Sequence, residues 1–214
     1  MNAIQTLAIS ALPVIFAITL HEAAHGYVAR HFGDPTAWQL GRISLNPLRH
    51  IDPVGTVLVP AMILLVSSGA LLFGWAKPVP VDFSRLRRPK QDMLWVAAAG
   101  PGANFLRALG WGLLLKLVVS SPDFAYAEAL RSMAIVGIQI NGVLMMLNLL
   151  PLPPLDGGRI AVSLLPANLA WKFAQIERFG LPIMLLLLFT HVLDGILRPL
   201  LKLFYSFISA LFGF

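Results

Sequence analysis

The stretch that decides the fold is Ile15-Phe16-Ala17-Ile18-Thr19-Leu20-His21-Glu22-Ala23-Ala24-His25-Gly26-Tyr27-Val28-Ala29-Arg30-His31-Phe32. His21, Glu22 and His25 make the pattern H-E-x-x-H. On a helix, positions i and i+4 share one face, with Cβ atoms about 5–6 Å apart. Two imidazoles at that spacing can hold one Zn²⁺. Glu22 follows the first of them, where it can reach a metal-bound water and act as general base. The residues before the motif are uncharged from Ile4 to Leu20 and almost wholly apolar. Two His and a Glu at the end of such a run are costly in a bilayer unless they serve a site.

The rest of the chain fits that setting. Of its 214 residues 57% are hydrophobic and 12% charged. Soluble domains carry about 25% charged residues. The composition predicts an integral membrane protein with one domain over residues 1–214. The formal net charge is +6. Its Lys and Arg lie in short loops between apolar runs, so they orient the chain and meet anionic lipid heads rather than nucleic acid. There is no cysteine. Disulfides and thiolate ligands are excluded, and a metal site must use His and carboxylate. The N-terminus lacks the basic region of a cleavable signal peptide.

The predicted class is an α-helical membrane protein with four to six membrane helices, a re-entrant segment and short membrane-associated β-strands. The first helix is expected over about Gln5 to Phe32, ended by Gly33-Asp34-Pro35. No basic residue precedes it and Arg30 closes it, so the N-terminus should face outside and the motif the cytoplasm. Alternation from Leu40 to Leu45 predicts a short strand. Val54 to Ala76 is apolar but carries Pro60 and Ser67-Ser68-Gly69. Gly74-Trp75-Ala76-Lys77-Pro78-Val79-Pro80-Val81 reads as an extended edge strand, because alternate prolines suit an edge and break a helix. Helices are expected over Met93–Ser120 and Tyr126–Leu150, and a further crossing over Phe179–Leu193. Residues 167–178 should be amphipathic and lie at the cytoplasmic surface, with the tail after Pro199 at the interface. Arg107 and Lys116 mark the helix over 93–120 as less than fully lipid-exposed, with snorkelling as the plainer alternative, and His191 reads as interfacial.

A second polar constellation stands at Asn148-Leu149-Leu150-Pro151-Leu152-Pro153-Pro154-Leu155-Asp156-Gly157-Gly158-Arg159. Three prolines exclude helix, and non-helical backbone beside a membrane helix is tolerated where protein or a cavity receives it. Asp156 is then presented inward on a rigid turn, or caps the helix from Arg159 onward. If Asp156 and the two His bind one metal, the helices that carry them must run in the same direction. The path between must cross the membrane an odd number of times, so one of the apolar runs 54–76 and 93–120 is no full crossing. The run 54–76 is broken and has basic residues on both flanks, which predicts a re-entrant loop there.

With these two motifs the chain resembles the site-2 protease family of intramembrane zinc metalloproteases, in its compact bacterial form without a PDZ or CBS domain. The resemblance extends to Gly-Arg-Ile-Ser-Leu-Asn-Pro at 41–47, to 74–81 and to Ala-Gly-Pro-Gly-Ala-Asn at 99–104. It implies one Zn²⁺ per chain on His21, His25 and Asp156, with Glu22 as the base and Asn148 facing the site as a holder of the substrate carbonyl or oxyanion. It implies a substrate-binding segment over Gly74, Trp75, Ala76, Lys77, Pro78 and Val79, with Asn104 beside it. The same resemblance implies a catalytic core at about 5–165, with C-terminal helices over about 166–214. The expected substrates are single-pass membrane proteins cut in or near their transmembrane segments, in the inner (cytoplasmic) membrane. Gly102-Ala103 stands where bulkier residues are expected, away from the chemistry. The rival reading is a metal-binding membrane transporter or scaffold, which has no need of Glu22 beside the first ligand.

Overall fold

The computed structural model describes residues 3–66, 74–121 and 123–214. Its helices in chain order are α1 (Ala3–His31), the single turn α2 (Thr36–Gln39), α3 (Val59–Val66), α4 (Pro89–Val119), α5 (Ala127–Asn148), α6 (Asp156–Leu164), α7 (Ala167–Ala174), α8 (Gly180–Phe189) and α9 (Val192–Phe212). Four of them, α1, α4, α5 and α9, are long and apolar enough to cross a membrane. This is a multi-pass helical membrane protein, and the outward Leu106, Leu203 and Trp95 are the apolar surface a bilayer would cover.

Helix starts follow local chemistry. Pro89 opens α4, where its missing N–H costs nothing. Asp92 in the first turn of α4 accepts the Arg88 N–H at 2.7 Å, the returning half of a capping box. Between lipid-soluble helices close packing and polar contacts replace the hydrophobic drive. The α4–α5–α9 core is built that way, from Ala108, Leu115, Ala134, Ile138, Met145, Phe204 and Ile208.

Hydrogen bonds across the bundle fix the helix directions. Arg87 N–H donates to the Phe32 carbonyl, His25 meets Val96, His21 meets Asn104 and Arg107 meets Ala17. Numbers rise on α4 as they fall on α1, so the two are antiparallel. Asn141 lies beside Asn104 and Arg107, whereas Gly137 lies beside Trp111, so α5 is antiparallel to α4. Helices α1 and α5 therefore run the same way, as a shared metal requires, and among the described residues one membrane-length helix, α4, lies between them. The Arg87–Phe32 bond brings the two ends of the 33–86 connection together.

Several expectations are corrected. Among the described residues there is no β-strand. At Leu40–Leu45 the backbone folds back through turns, with Arg42 N–H on the Ala37 carbonyl and His50 on the Ser44 carbonyl. In the 74–81 segment Pro78 and Pro80 have no donor, and the remaining donors scatter. Trp75 donates to Gly55 and Lys77 to His50, and Val79 donates to a side chain. No ladder can form when successive groups face different partners. Pro53–Leu58 is a π-type turn leading into α3. The Ser67-Ser68-Gly69 interruption lies outside the described residues.

The crossing expected over Phe179–Leu193 is also corrected. Helix α8 has 10 residues, about 15 Å of helix against a hydrocarbon core of about 30 Å. The chain reverses at His191, whose φ is 57°. Helix α9 then runs unbroken through Pro199 for 21 residues, so the tail is a membrane-length helix and no interfacial appendage. Its Phe204 packs on Gly142 and its Phe212 on Gly112, which sets α9 against α5 and α4.

Candidate metal centre

Helix α1 presents His21 and His25 on the face that meets α4. Their Nε2 atoms stand 3.2 Å apart. Asp156 enters from the first turn of α6, with one carboxylate oxygen 3.3 Å from His21 Nε2 and the other 3.4 Å from His25 Nε2. The cap position belongs to Leu155 and Asp156 makes no capping bond, so its carboxylate is free for the site. Gly157 makes this approach possible. A Cβ there would lie 2.3 Å from the carbonyl oxygens of both Leu149 and Leu150, so α6 can dock on the end of α5 only without one.

The surroundings fix which nitrogen of each ring faces inward. His25 Nδ1 lies 2.7 Å from the Val96 carbonyl, which can only accept. Nδ1 therefore carries the proton, and Nε2 presents a lone pair. His21 Nδ1 lies 2.6 Å from Asn104 Oδ1. Asn104 Nδ2 donates onward to Asn141 Oδ1 at 3.2 Å, so its oxygen faces the ring and His21 is held in the same tautomer.

Two imidazole lone pairs and a carboxylate thus converge with no proton between them. Such a group is repulsive unless a cation sits at its centre. Asp156 Oδ2 is buried with no hydrogen-bond partner. A tetrahedral site with ligand bonds of about 2.0–2.1 Å has edges of about 3.3–3.4 Å, and the three separations here are 3.2, 3.3 and 3.4 Å. Gly100 of α4 leaves the room. A Cβ there would stand 2.4 Å from His25 Nε2 and 2.6 Å from His21 Nε2. Donor type, spacing and space all fit Zn²⁺.

Comparison with known proteins agrees. The chain is 39% identical over 194 residues to "Putative zinc metalloprotease YwhC" of Bacillus subtilis, covering 89% of this chain and 84% of that protein. It is 31% identical over 196 residues to "Putative zinc metalloprotease Rip2" of Mycolicibacterium smegmatis, covering 90% and 71%. The chain belongs to the site-2 protease family of zinc metalloproteases. No family model matches the chain, and no solved structure does.

The other residues expected for a site-2 protease fall as follows. Glu22 sits beside the ligands, and its Oε2 accepts the Val79 N–H at 2.8 Å. That bond ties the 74–79 segment to the candidate base. Asp34, fully buried, accepts the Asp82 N–H at 2.7 Å, a second tie between the end of α1 and this segment. Arg42 reaches the carbonyls of Lys77 and Pro78 at 3.2 and 3.3 Å. Gly74, Lys77 and Pro78 are exposed, Trp75 and Ala76 half-buried, and Val79 buried. Asn148 is half-buried in the last turn of α5, its amide donating to Leu144 at 2.9 Å. Asn104, expected beside the substrate-binding segment, is wholly buried, with its amide oxygen on His21 and its amide nitrogen on Asn141. Sequence reasoning missed Gly100, the Val96 carbonyl and Asn141. Asn141 carried a signal as an amide inside an uncharged run, and Gly100 as part of the small-residue stretch at 99–104.

Proposed function

We propose that this chain is a zinc endopeptidase that cuts single-pass membrane proteins in or near their transmembrane segments. The observation that carries the reading is the convergence of His21, His25 and Asp156 at 3.2–3.4 Å beside Glu22, within a bundle of membrane-length helices. Bound at these residues, zinc supplies a Lewis acid and a water of pKa lowered towards about 7. Glu22 takes the proton of the attacking water as the peptide carbonyl is opened, and returns it to the leaving amine as the C–N bond breaks. Asn148, at the end of α5, is the candidate donor to the carbonyl oxygen as it gains negative charge.

A helical substrate hides its peptide bonds and must unwind before it can be cut. The segment 74–79 is the candidate support for the unwound strand. Pro78 and Pro80 keep it from being absorbed into a helix, and the Val79–Glu22 bond sets it beside the base. Residues 54–76 are read as re-entrant. The Trp75 N–H on the Gly55 carbonyl and the return of the chain at Arg87 to Phe32 support that reading. The N-terminus lies outside, and the site opens towards the cytoplasm of the inner membrane, as the basic loops favour.

The test is Glu22→Gln in purified protein with a membrane-spanning reporter. Zinc content should match the parent, and cleavage should fall by at least about 10²-fold, the usual worth of a general base. Retained cleavage would overturn the assignment. Zinc transport with no proteolysis in the parent would point to the transporter instead.

A further inference from the structure

We infer that Arg107 is a positioning residue for the metal site, fixing through two buried amides which nitrogen of His21 faces the metal. The inference rests on reading His21, His25 and Asp156 as the zinc ligands. Arg107 lies on α4, seven residues beyond Gly100 and so about 10 Å deeper along the helix. A guanidinium at that depth would ordinarily reach out for headgroups. This one turns inward. Its Nε is 3.2 Å from Asn141 Oδ1, and a terminal nitrogen is 2.9 Å from the Ala17 carbonyl.

The argument is one of polarity. An amide side chain can be turned either way, and its partners decide which. A guanidinium can only donate. Asn141 must therefore show it oxygen, and the Asn141 nitrogen donates at 2.8 Å to the Gly137 carbonyl. That carbonyl already accepts a helix bond, so the charge-assisted bond from Arg107 is the stronger constraint. The same Asn141 oxygen faces Asn104 Nδ2 at 3.2 Å, which turns Asn104 Oδ1 to His21 Nδ1 at 2.6 Å. Both amides are 0% exposed, so no solvent competes for either group. His21 Nδ1 must then hold the proton, and its Nε2 lone pair faces His25 and Asp156. The second arm of Arg107 acts on the backbone, because the Ala17 carbonyl is the helix acceptor for the His21 N–H. His25 needs no relay, since its Nδ1 donates directly to a carbonyl. The two ligands are thus held by different means, and only His21 depends on Arg107.

The experiment compares Arg107→Gln, which can donate and accept, with Arg107→Lys, which can only donate. Zinc affinity is read by competition with a chromophoric chelator. Imidazole ¹⁵N NMR of the metal-free protein reads the tautomer of each histidine. Arg107→Gln should weaken zinc by about 10–100-fold, the usual effect of losing an outer partner of a ligand. It should also populate the Nε2–H form of His21 while leaving His25 unchanged. Arg107→Lys should restore both readings towards the parent. Asn141→Asp, which still accepts from both neighbours, should keep the His21 tautomer, and Asn141→Leu should lose it. That pair decides the matter if the Arg107 variants do not fold. Parental affinity and tautomer in Arg107→Gln would overturn the inference, as would equal shifts in both histidines. A parent that takes up no zinc would overturn the functional reading instead, and the metal-free spectra would still decide the relay.

Discussion

Gly100→Ala puts a single methyl where the metal belongs. Its carbon would start 2.4 Å from His25 Nε2 and 2.6 Å from His21 Nε2. Ordinary contact is about 3.5 Å, so each ring must retreat by about 1 Å. Metal sites tolerate about 0.2 Å. The rings have no easy way back, because their far nitrogens are already bonded at 2.6 and 2.7 Å to Asn104 and Val96. Either those bonds break, at about 1 kcal/mol each, or the ligands stay displaced. Zinc affinity should fall by at least about 10²-fold, above the range for disturbing a ligand's outer partner. Gly102→Ala is the control. It lies on the same helix, its Cβ would meet nothing within 4 Å, and it should keep parental zinc. The assay is chelator competition on detergent-purified protein, with circular dichroism to show that α4 still forms. Parental affinity in Gly100→Ala would refute the placement of the metal over this glycine.

Two further outcomes follow from the same geometry. Val79→Pro removes the N–H that Glu22 accepts. A bond to a charged group is worth about 1.5–3 kcal/mol, so reporter cleavage should fall by about 10-fold or more with zinc content unchanged, and unchanged cleavage would count against the link between the segment and the base. Zinc removal should destabilise the fold, because three acceptors are left facing each other. Zinc at a hundred times its Kd should stabilise by about 2.7 kcal/mol, read as a thermal shift absent from His25→Ala, and a parent that melts alike with and without zinc would contradict it.

The sequence revealed the site better than the fold around it, for a physical reason. The His21–His25 spacing is a local rule of helix geometry, and it needs no tertiary knowledge. Asp156 was legible from its place on a proline-broken turn, and a metal shared with the histidines then required α1 and α5 to run alike. Where helices break inside apolar sequence was not legible. Residues 179–212 are greasy almost throughout, and the reversal at His191 leaves no pattern that periodicity can detect. The expected strands failed because alternation and prolines describe an extended chain, whereas a ladder needs a partner that no local signal names. The partners of Asn104 and Arg107 were not legible, for one cause. A lone polar residue in a membrane helix looks the same whether it faces substrate, headgroups or another amide, and only packing across α1, α4 and α5 tells them apart.

The central claim is that His21, His25 and Asp156 together hold one zinc ion. X-ray absorption at the zinc edge of the purified protein tests it most directly. The account predicts one zinc per chain with two imidazole nitrogens and a carboxylate oxygen at about 2.0–2.2 Å, and a spectrum that loses its oxygen shell or its metal in Asp156→Ala. A stoichiometric zinc whose environment is untouched by Asp156→Ala, or a fully folded chain that binds none, would contradict it.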